Sequence, residues 1–228
     1  MGTLYLIATP IGNIEDITLR AKRILSEADL IACEDTRKTG LLLSRLGLPK
    51  KPLLSFYEEN EAGRLPEVIR RLQMGEKVAL VSNAGTPVIA DPGFKLVRAC
   101  LVIGIKVTAI PGPSALLTAL VASGLPPDKF IFLGYLPKSQ TKRQKILASF
   151  GTLPLPATLV FYESPYRLQK TLADVQAVFG DVTIAVGQEL TKMFEETKRG
   201  KVSEIIKDFS ATPPRGEFTV AVWPVLPS

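Results

Sequence analysis

The chain has 228 residues, 46% apolar and 22% charged, the make-up of a globular protein with one large domain or two small ones. It contains no histidine, which excludes a Ser-His-Asp triad, a histidine metal site and an imidazole base. Lysine and arginine outnumber aspartate and glutamate by 28 to 22, a net charge of +6. The apolar runs Leu101–Ile105 and Ala115–Ala122 stop far short of the about 18 residues a membrane span needs.

In chain order, Leu4–Ala8 reads as a strand, Thr18–Ala28 as a helix and Leu30–Cys33 as a second strand. Thr36–Leu46 is helical and stops at Gly47-Leu48-Pro49. A helix over Glu61–Met74, a strand over Val78–Val81, a helix over Phe94–Val102 and a strand over Lys106–Ile110 follow. This alternation predicts a mostly parallel sheet covered by helices. Pro111-Gly112-Pro113 breaks the chain near its midpoint, and Ser114 starts a helix through Val121. Strands are then expected at Phe130–Leu133, Thr158–Tyr162 and Thr183–Val186, and helices at Thr141–Phe150 and Leu168–Phe179. Phe194–Lys201, Val202–Phe209 and Glu217–Trp223 close as strand, helix and strand, a rhythm that predicts a mixed sheet. Leu153–Pro156 and Thr212–Pro214 read as loops. The expected division is an N-terminal α/β domain over 1–113 and a C-terminal α/β domain over 114–228.

Cys33 and Cys100 form no C-x-x-C and read as buried thiols of a reducing compartment. The N-terminus lacks the basic region of a signal peptide, so a cytoplasmic protein with no membrane attachment is expected. No G-x-G-x-x-G, no Walker A loop and no G-x-S-x-G elbow occurs. No metal site is expected.

Three turns of small residues follow strands: Thr9-Pro10-Ile11-Gly12-Asn13, Ser82-Asn83-Ala84-Gly85-Thr86-Pro87 and Pro111-Gly112-Pro113-Ser114-Ala115. In a parallel sheet they face one edge, beyond the carboxyl ends of the strands, where ligands collect. Their backbone is little screened, so a bent ligand can take main-chain hydrogen bonds there. Gly/Pro turns are also simply how such loops look. Two acid-free stretches, Thr36–Tyr57 and Lys129–Tyr162, carry five basic residues each. They suit either a phosphate-rich partner or a solvated face.

These turns and their surroundings resemble one family. The matching segments are Thr9–Ile14 with Asp16-Ile17, Glu34-Asp35-Thr36-Arg37 with Thr39-Gly40, and Val81–Pro87 with Asp91-Pro92-Gly93. They continue with Pro111–Pro113, Phe161-Tyr162-Glu163-Ser164-Pro165, Glu189-Leu190-Thr191-Lys192 and Gly216-Glu217. The chain resembles the ribosomal RNA small subunit methyltransferase I family, of the tetrapyrrole-methylase-like class of S-adenosylmethionine enzymes. The resemblance implies a two-domain α/β fold with the cofactor in the cleft between the domains, and a homodimer. It implies 2′-O-methylation of the ribose of a decoding-region cytidine in 16S rRNA of the small ribosomal subunit. S-adenosylmethionine contacts carry over to Pro10, Ile11, Gly12, Ala84, Gly85, Thr86, Ile89, Pro113, Ser114, Ala115, Phe161, Tyr162, Glu163 and Glu189. The chain departs from the family pattern at Asn83 (usually Asp), at Lys38, Glu59 and Tyr166 (usually His) and at Gln188 (usually Arg).

Methyl transfer to a ribose hydroxyl needs in-line positioning and is helped by a base. Without histidine the candidates are carboxylates and lysine. Glu34, Asp35 and Lys192 are the catalytic candidates, although Glu34-Asp35 can equally be a capping pair before Thr36. Tyr162 can face the cofactor's sulfonium, and the helix start at Ser114 its carboxylate. Arg37, Lys38, Lys138, Lys142, Arg143 and Lys145 are the expected RNA-backbone contacts. Methylation of a tetrapyrrole precursor, and RNA binding without activity, are the competing readings.

Overall fold

The computed structural model describes residues 1–151 and 154–225, so Leu153 of the Leu153–Pro156 loop lies outside the described residues. It separates into two compact units, Met1–Ser114 and Ala115–Ser228.

The first unit runs β1 (Thr3–Ile7), α1 (Leu19–Glu27), β2 (Leu30–Cys33), α2 (Thr36–Arg45), β3 (Leu53–Ser55), α3 (Glu61–Gln73), β4 (Lys77–Val81), α4 (Phe94–Val102) and β5 (Lys106–Ile110). The five strands lie in the order β3-β2-β4-β1-β5, and every pairing is parallel. Successive residues of β4 serve opposite faces, as the period of a strand requires. Val78 and Leu80 pack with Val68, Leu72, Leu96 and Cys100 from α3 and α4. Ala79 and Val81 pack with Ala21, Ile24, Leu25 and Leu43 from α1 and α2. Helices on both faces bury the sheet, and the four residues of β2 are all buried. The strand β3 is absent from the sequence expectation. It is three residues at a sheet edge directly after Lys50-Lys51-Pro52, too short for a period to show.

The second unit runs α5 (Ala115–Ala122), β6 (Phe130–Tyr135), α6 (Gln140–Phe150), β7 (Thr158–Glu163), α7 (Leu168–Phe179), β8 (Thr183–Gln188), β9 (Glu196–Lys201), α8 (Val202–Ala211) and β10 (Phe218–Trp223). Its sheet order is β6-β7-β10-β8-β9, with β6 and β7 parallel and the other pairs antiparallel. The mixed sheet expected from the hairpin rhythm is therefore present. One face carries Leu159, Phe161, Ile184, Val186 and Val220 against α6, α7 and α8. The other carries Val160, Ala185 and Ala221 against Leu116 and Leu120 of α5. Among the described residues no helix is long and apolar enough to cross a membrane.

Candidate active site

The register of the parallel sheet decides what meets at its carboxyl edge. Cys33 pairs with Val81, Leu6 with Leu80 and Ile7 with Ile110. One residue further on, Glu34, Ser82, Ala8 and Pro111 therefore emerge at about the same level. The turns after β1, β4 and β5 are joined there by hydrogen bonds. The Thr9 N–H donates to the Gly85 carbonyl at 2.9 Å and the Gly85 N–H to the Thr9 carbonyl at 2.9 Å. The Thr86 hydroxyl donates to the Pro113 carbonyl at 3.2 Å, and that of Thr9 to the Ser82 carbonyl at 3.4 Å. Gly85 has a φ of +78°, and a Cβ there would stand 3.3 Å from the Ile11 side chain, so glycine is what lets the turns close. Pro10, Ile11, Gly12, Ala84, Gly85, Thr86 and Pro113 thus form one cluster of main chain. Within the three turns no charged side chain intrudes, Gly12 and Ala84 are exposed, and Ile89 is an exposed aliphatic side chain further along the same loop.

Beside this cluster stands a carboxylate pair. Glu34 Oε1 accepts the Asn83 N–H at 3.1 Å and Oε2 accepts the Asn83 side-chain amide at 2.9 Å. Asp91 lies further along the same loop. Its carboxyl is pushed up to about 6, first by burial and then by the charge of Glu34, against a hydrogen bond with Ser82 that lowers it. The loop is strained, with Val88 at φ +75° and Ala90 at φ +61°, and for a β-branched residue that is an outlier. Its far end is pinned by the Gly93 N–H, which donates to Glu61 Oε1 at 3.1 Å, and Glu61 pairs with Lys95 at 3.5 Å. The sequence expectation did not reach Asp91 as a site residue. It stands there only within the matching segment Asp91-Pro92-Gly93, with no role attached to its side chain.

Asp35 is the N-cap of α2, accepting the N–H groups of Arg37 and Lys38 at 2.8 and 3.4 Å. The Arg37 side chain pairs with it at 3.2 Å and holds its carboxyl below the usual carboxylate range. That makes Asp35 a poor proton acceptor, so the structure favours its capping role over the catalytic one. Arg37 and Lys38 are exposed at the start of the helix.

In the second unit, the Phe161 side chain is fully buried in the core against α6, α7 and α8, so only its backbone is available to a ligand. Tyr162 is half-buried on the opposite face, with ring centroids 5.0 Å from Phe132 and 5.7 Å from Tyr135. The Glu163 side chain is also committed within the unit, which leaves its main chain for the expected cofactor contact. Its carboxylate is buried and accepts the Ser164 N–H at 2.8 Å and the Thr171 hydroxyl at 2.6 Å, with Arg167 at 3.4 Å. Those bonds tie β7 to α7, and a ligand would have to break them. Ala115 opens α5, and Ser114 directly precedes it.

Lys192 is held by two carboxylates, which argues against the expected role as a base. Its ammonium donates to Glu189 Oε1 at 2.9 Å and to Glu217 Oε2 at 2.8 Å. Burial disfavours the ammonium, but these two carboxylates outweigh it and hold the pKa above the ordinary lysine value. Lys192 therefore stays protonated at neutral pH. Burial works against the Glu189 carboxylate, but Lys192 and the Glu217 N–H, which donates to it at 2.9 Å, hold its pKa below the usual range. Glu189 and Thr191 sit at φ +48° and +65°.

Arg143 is corrected as an RNA contact. It is 4% exposed, pairs with Asp174, and donates to the Pro137 and Lys138 carbonyls at 3.1 and 3.2 Å. Arg143 and Leu147, four apart, form the inner face of α6, whereas Lys142 and Lys145 on α6 and Lys138 before it are exposed.

Residues 3–206 match the model of the Tetrapyrrole (Corrin/Porphyrin) Methylases, which defines the class. The native fold is shared with uroporphyrin-III C-methyl transferase from Thermus thermophilus, solved in complex with S-adenyl homocysteine. That likeness has a TM-score of 0.66 at 19% identity and covers 96% of this chain and 97% of that one. Among sequence relatives, the ribosomal RNA small subunit methyltransferase I of Thermotoga maritima is 48% identical over 97% of this chain and 98% of its own length. That of Mesorhizobium japonicum is 48% identical over 97% of this chain and 75% of its own. The chain belongs to the ribosomal RNA small subunit methyltransferase I family.

Proposed function

We propose that this protein transfers a methyl group from S-adenosylmethionine to the ribose 2′-hydroxyl of a decoding-region cytidine in 16S rRNA of the small ribosomal subunit. The reading includes action as a homodimer in the cytoplasm. The observation that carries it is the joining of three main-chain turns at one sheet edge, beside Glu34, in a chain of this family.

The donor set fits the methyl donor. Main-chain groups of Pro10–Gly12, Ala84–Thr86 and Pro113 suit the polar edges of an adenosine and an amino-acid moiety, and Ile11 and Ile89 its apolar faces. When bound, the donor supplies an electrophilic methyl group on a sulfonium. The chain's own work is then to orient the acceptor hydroxyl, exclude water and receive a proton. Tyr162 supports the reading as an aromatic face that attracts a cation. The exposed Arg37, Lys38, Lys138, Lys142 and Lys145 support an RNA substrate, because phosphates are held by just such side chains.

The class also contains tetrapyrrole methylases, so the substrate is the point to test. Labelled methyl from S-adenosylmethionine is offered to small subunits lacking the modification, to naked 16S rRNA and to a tetrapyrrole precursor, side by side. Label in the subunit RNA, mapped to a ribose 2′-oxygen, is the expected result. Label only in the tetrapyrrole reverses the substrate and keeps the methyl donor. Salt-sensitive RNA binding with no label and no binding of the methyl donor makes the chain a binder.

A further inference from the structure

We propose that Tyr135, at the end of the edge strand β6, is a stacking surface for a nucleobase of the substrate RNA, with Lys138 on the adjoining phosphate. The inference rests on the RNA methyltransferase reading above and adds a substrate contact to it. It follows from a one-residue irregularity in β6 and from what fixes the chain beyond it.

β6 begins with the alternation of a regular strand. Ile131 and Leu133 pack with the core against α6, α7 and α8, and Phe132 lies on the opposite face with Tyr162. By that period Tyr135 belongs with Ile131 and Leu133, aimed at the core. It does not go there. Phe132 pairs with Val160 and Tyr135 with Tyr162, so three steps of β6 oppose two of β7. The extra residue makes a β-bulge, with Gly134 at φ +60°. The bulge turns the Tyr135 ring back to the Phe132 face, with its centroid 5.7 Å from that of Tyr162. Leu136 then takes the core side, where it is buried. On the Phe132 face, α5 packs over Val160, Ala185 and Ala221 of the three central strands. At the β6 edge of the same face Tyr135 is 62% exposed.

The three carbonyls that follow Tyr135 accept from two guanidinium groups. Arg167 donates to the Leu136 and Pro137 carbonyls at 2.6 and 3.2 Å, and Arg143 to those of Pro137 and Lys138 at 3.1 and 3.2 Å. Each arginine is anchored by a buried acid, Arg167 by Glu163 at 3.4 Å and Arg143 by Asp174 at 2.7 Å. The exposed ring therefore sits on a fixed main chain, which lowers the ordering cost of binding to it. Lys138 follows within the about 11 Å that three residues can span, and Lys142 lies in the first turn of α6. Both are exposed and have no carboxylate partner among the described residues. The whole stretch Lys129–Tyr162 carries no acid. A ring face followed by such cations suits a base and its phosphate, which a single RNA strand offers together. An acidic peptide would use the lysines and leave the ring idle.

The test measures binding of a single-stranded oligocytidylate, and of an abasic ribose-phosphate oligomer of the same length, to the full chain. Methylation of small subunits lacking the modification and binding of S-adenosylhomocysteine are followed beside it. Tyr135→Ala should lose about tenfold or more in affinity for the oligocytidylate and nothing for the abasic oligomer, because stacking needs the base. Tyr135→Phe should stay within about twofold of the wild type. Tyr135→Leu, apolar but without a ring, should fall with the alanine variant. On small subunits Tyr135→Ala should raise KM about tenfold and leave kcat and S-adenosylhomocysteine binding within about twofold. Unchanged oligocytidylate affinity in Tyr135→Ala and Tyr135→Leu overturns the proposal while leaving the methyltransferase reading intact. So does an equal loss on the abasic oligomer, which makes the residue structural. An equal loss on S-adenosylhomocysteine also overturns it, and makes the ring a surface for the methyl donor. A wild type that labels no small subunit and binds neither oligomer overturns both readings.

Discussion

Two carboxylate clusters, one in each unit, use the same parts to opposite ends. In the second unit Glu189 and Glu217 share the ammonium of Lys192, which lies 2.9 and 2.8 Å away. In the first, the charge of Glu34 acts on Asp91, with an amide rather than a cation on Glu34. Both sit on strained backbone, Glu189 and Thr191 in one and Val88 and Ala90 in the other. The consequence is a divergence in acidity. Glu189 is held below the usual range, and Asp91 is pushed up to about 6. A charge cluster that is neutralised fastens a turn; one left unneutralised retains a proton-transfer capacity. The second unit treats its buried acids in the first way too: Glu163 with Thr171 and Arg167, Asp174 with Arg143.

Breaking that compensation should have the largest effect. Arg143→Ala strands Asp174, 1% exposed, with only the Gln140 and Gln144 amides at 3.0 and 2.7 Å. It is expected to cost about 3–5 kcal/mol in denaturant unfolding. Gly216→Ala comes next. Gly216 lies at φ +86°, and a Cβ there would run into the Glu189 carboxylate, so the Glu189–Lys192–Glu217 cluster must shift. A loss of about 1–3 kcal/mol is expected, measured the same way.

Asp91→Asn sharpens the comparison by reversing the sign. A raised carboxyl pKa means that the folded chain holds this proton more tightly than the unfolded one. Its contribution favours folding at low pH and is lost as pH rises from about 4 through about 6. At pH 7 the ionised group is a liability, and asparagine removes it. After allowance for its partial exposure, Asp91→Asn should gain about 1 kcal/mol in thermal unfolding at pH 7, and no gain at pH 4. Smallest in stability is Lys142→Ala with Lys145→Ala on the exposed side of α6, expected within about 0.5 kcal/mol. The pair should weaken RNA binding and make its salt dependence shallower.

Much of this was legible in the sequence. Alternating strands and helices gave the parallel first sheet, and the hairpin rhythm the mixed second one. The three turns were placed on one edge because parallel strands end together. What failed were partners distant in sequence. Arg143 looked like one more cation in an acid-free stretch, since Asp174 lies 31 residues on. Glu163 and Lys192 were read from their motifs, and the motif does not say that Thr171, Arg167, Glu189 and Glu217 already hold them. Asp91 was hidden for the reverse reason. Its character comes from the burial and from Glu34, and β2 reaches β4 only through the sheet.

The most direct measurement is the carbon-13 titration of the Asp91 and Glu189 carboxyl groups in one sample of the full chain. The account predicts a midpoint about 6 for Asp91 and one below the ordinary glutamate range for Glu189. Both titrating as ordinary carboxyl groups, or Asp91 titrating as low as Glu189, would contradict it.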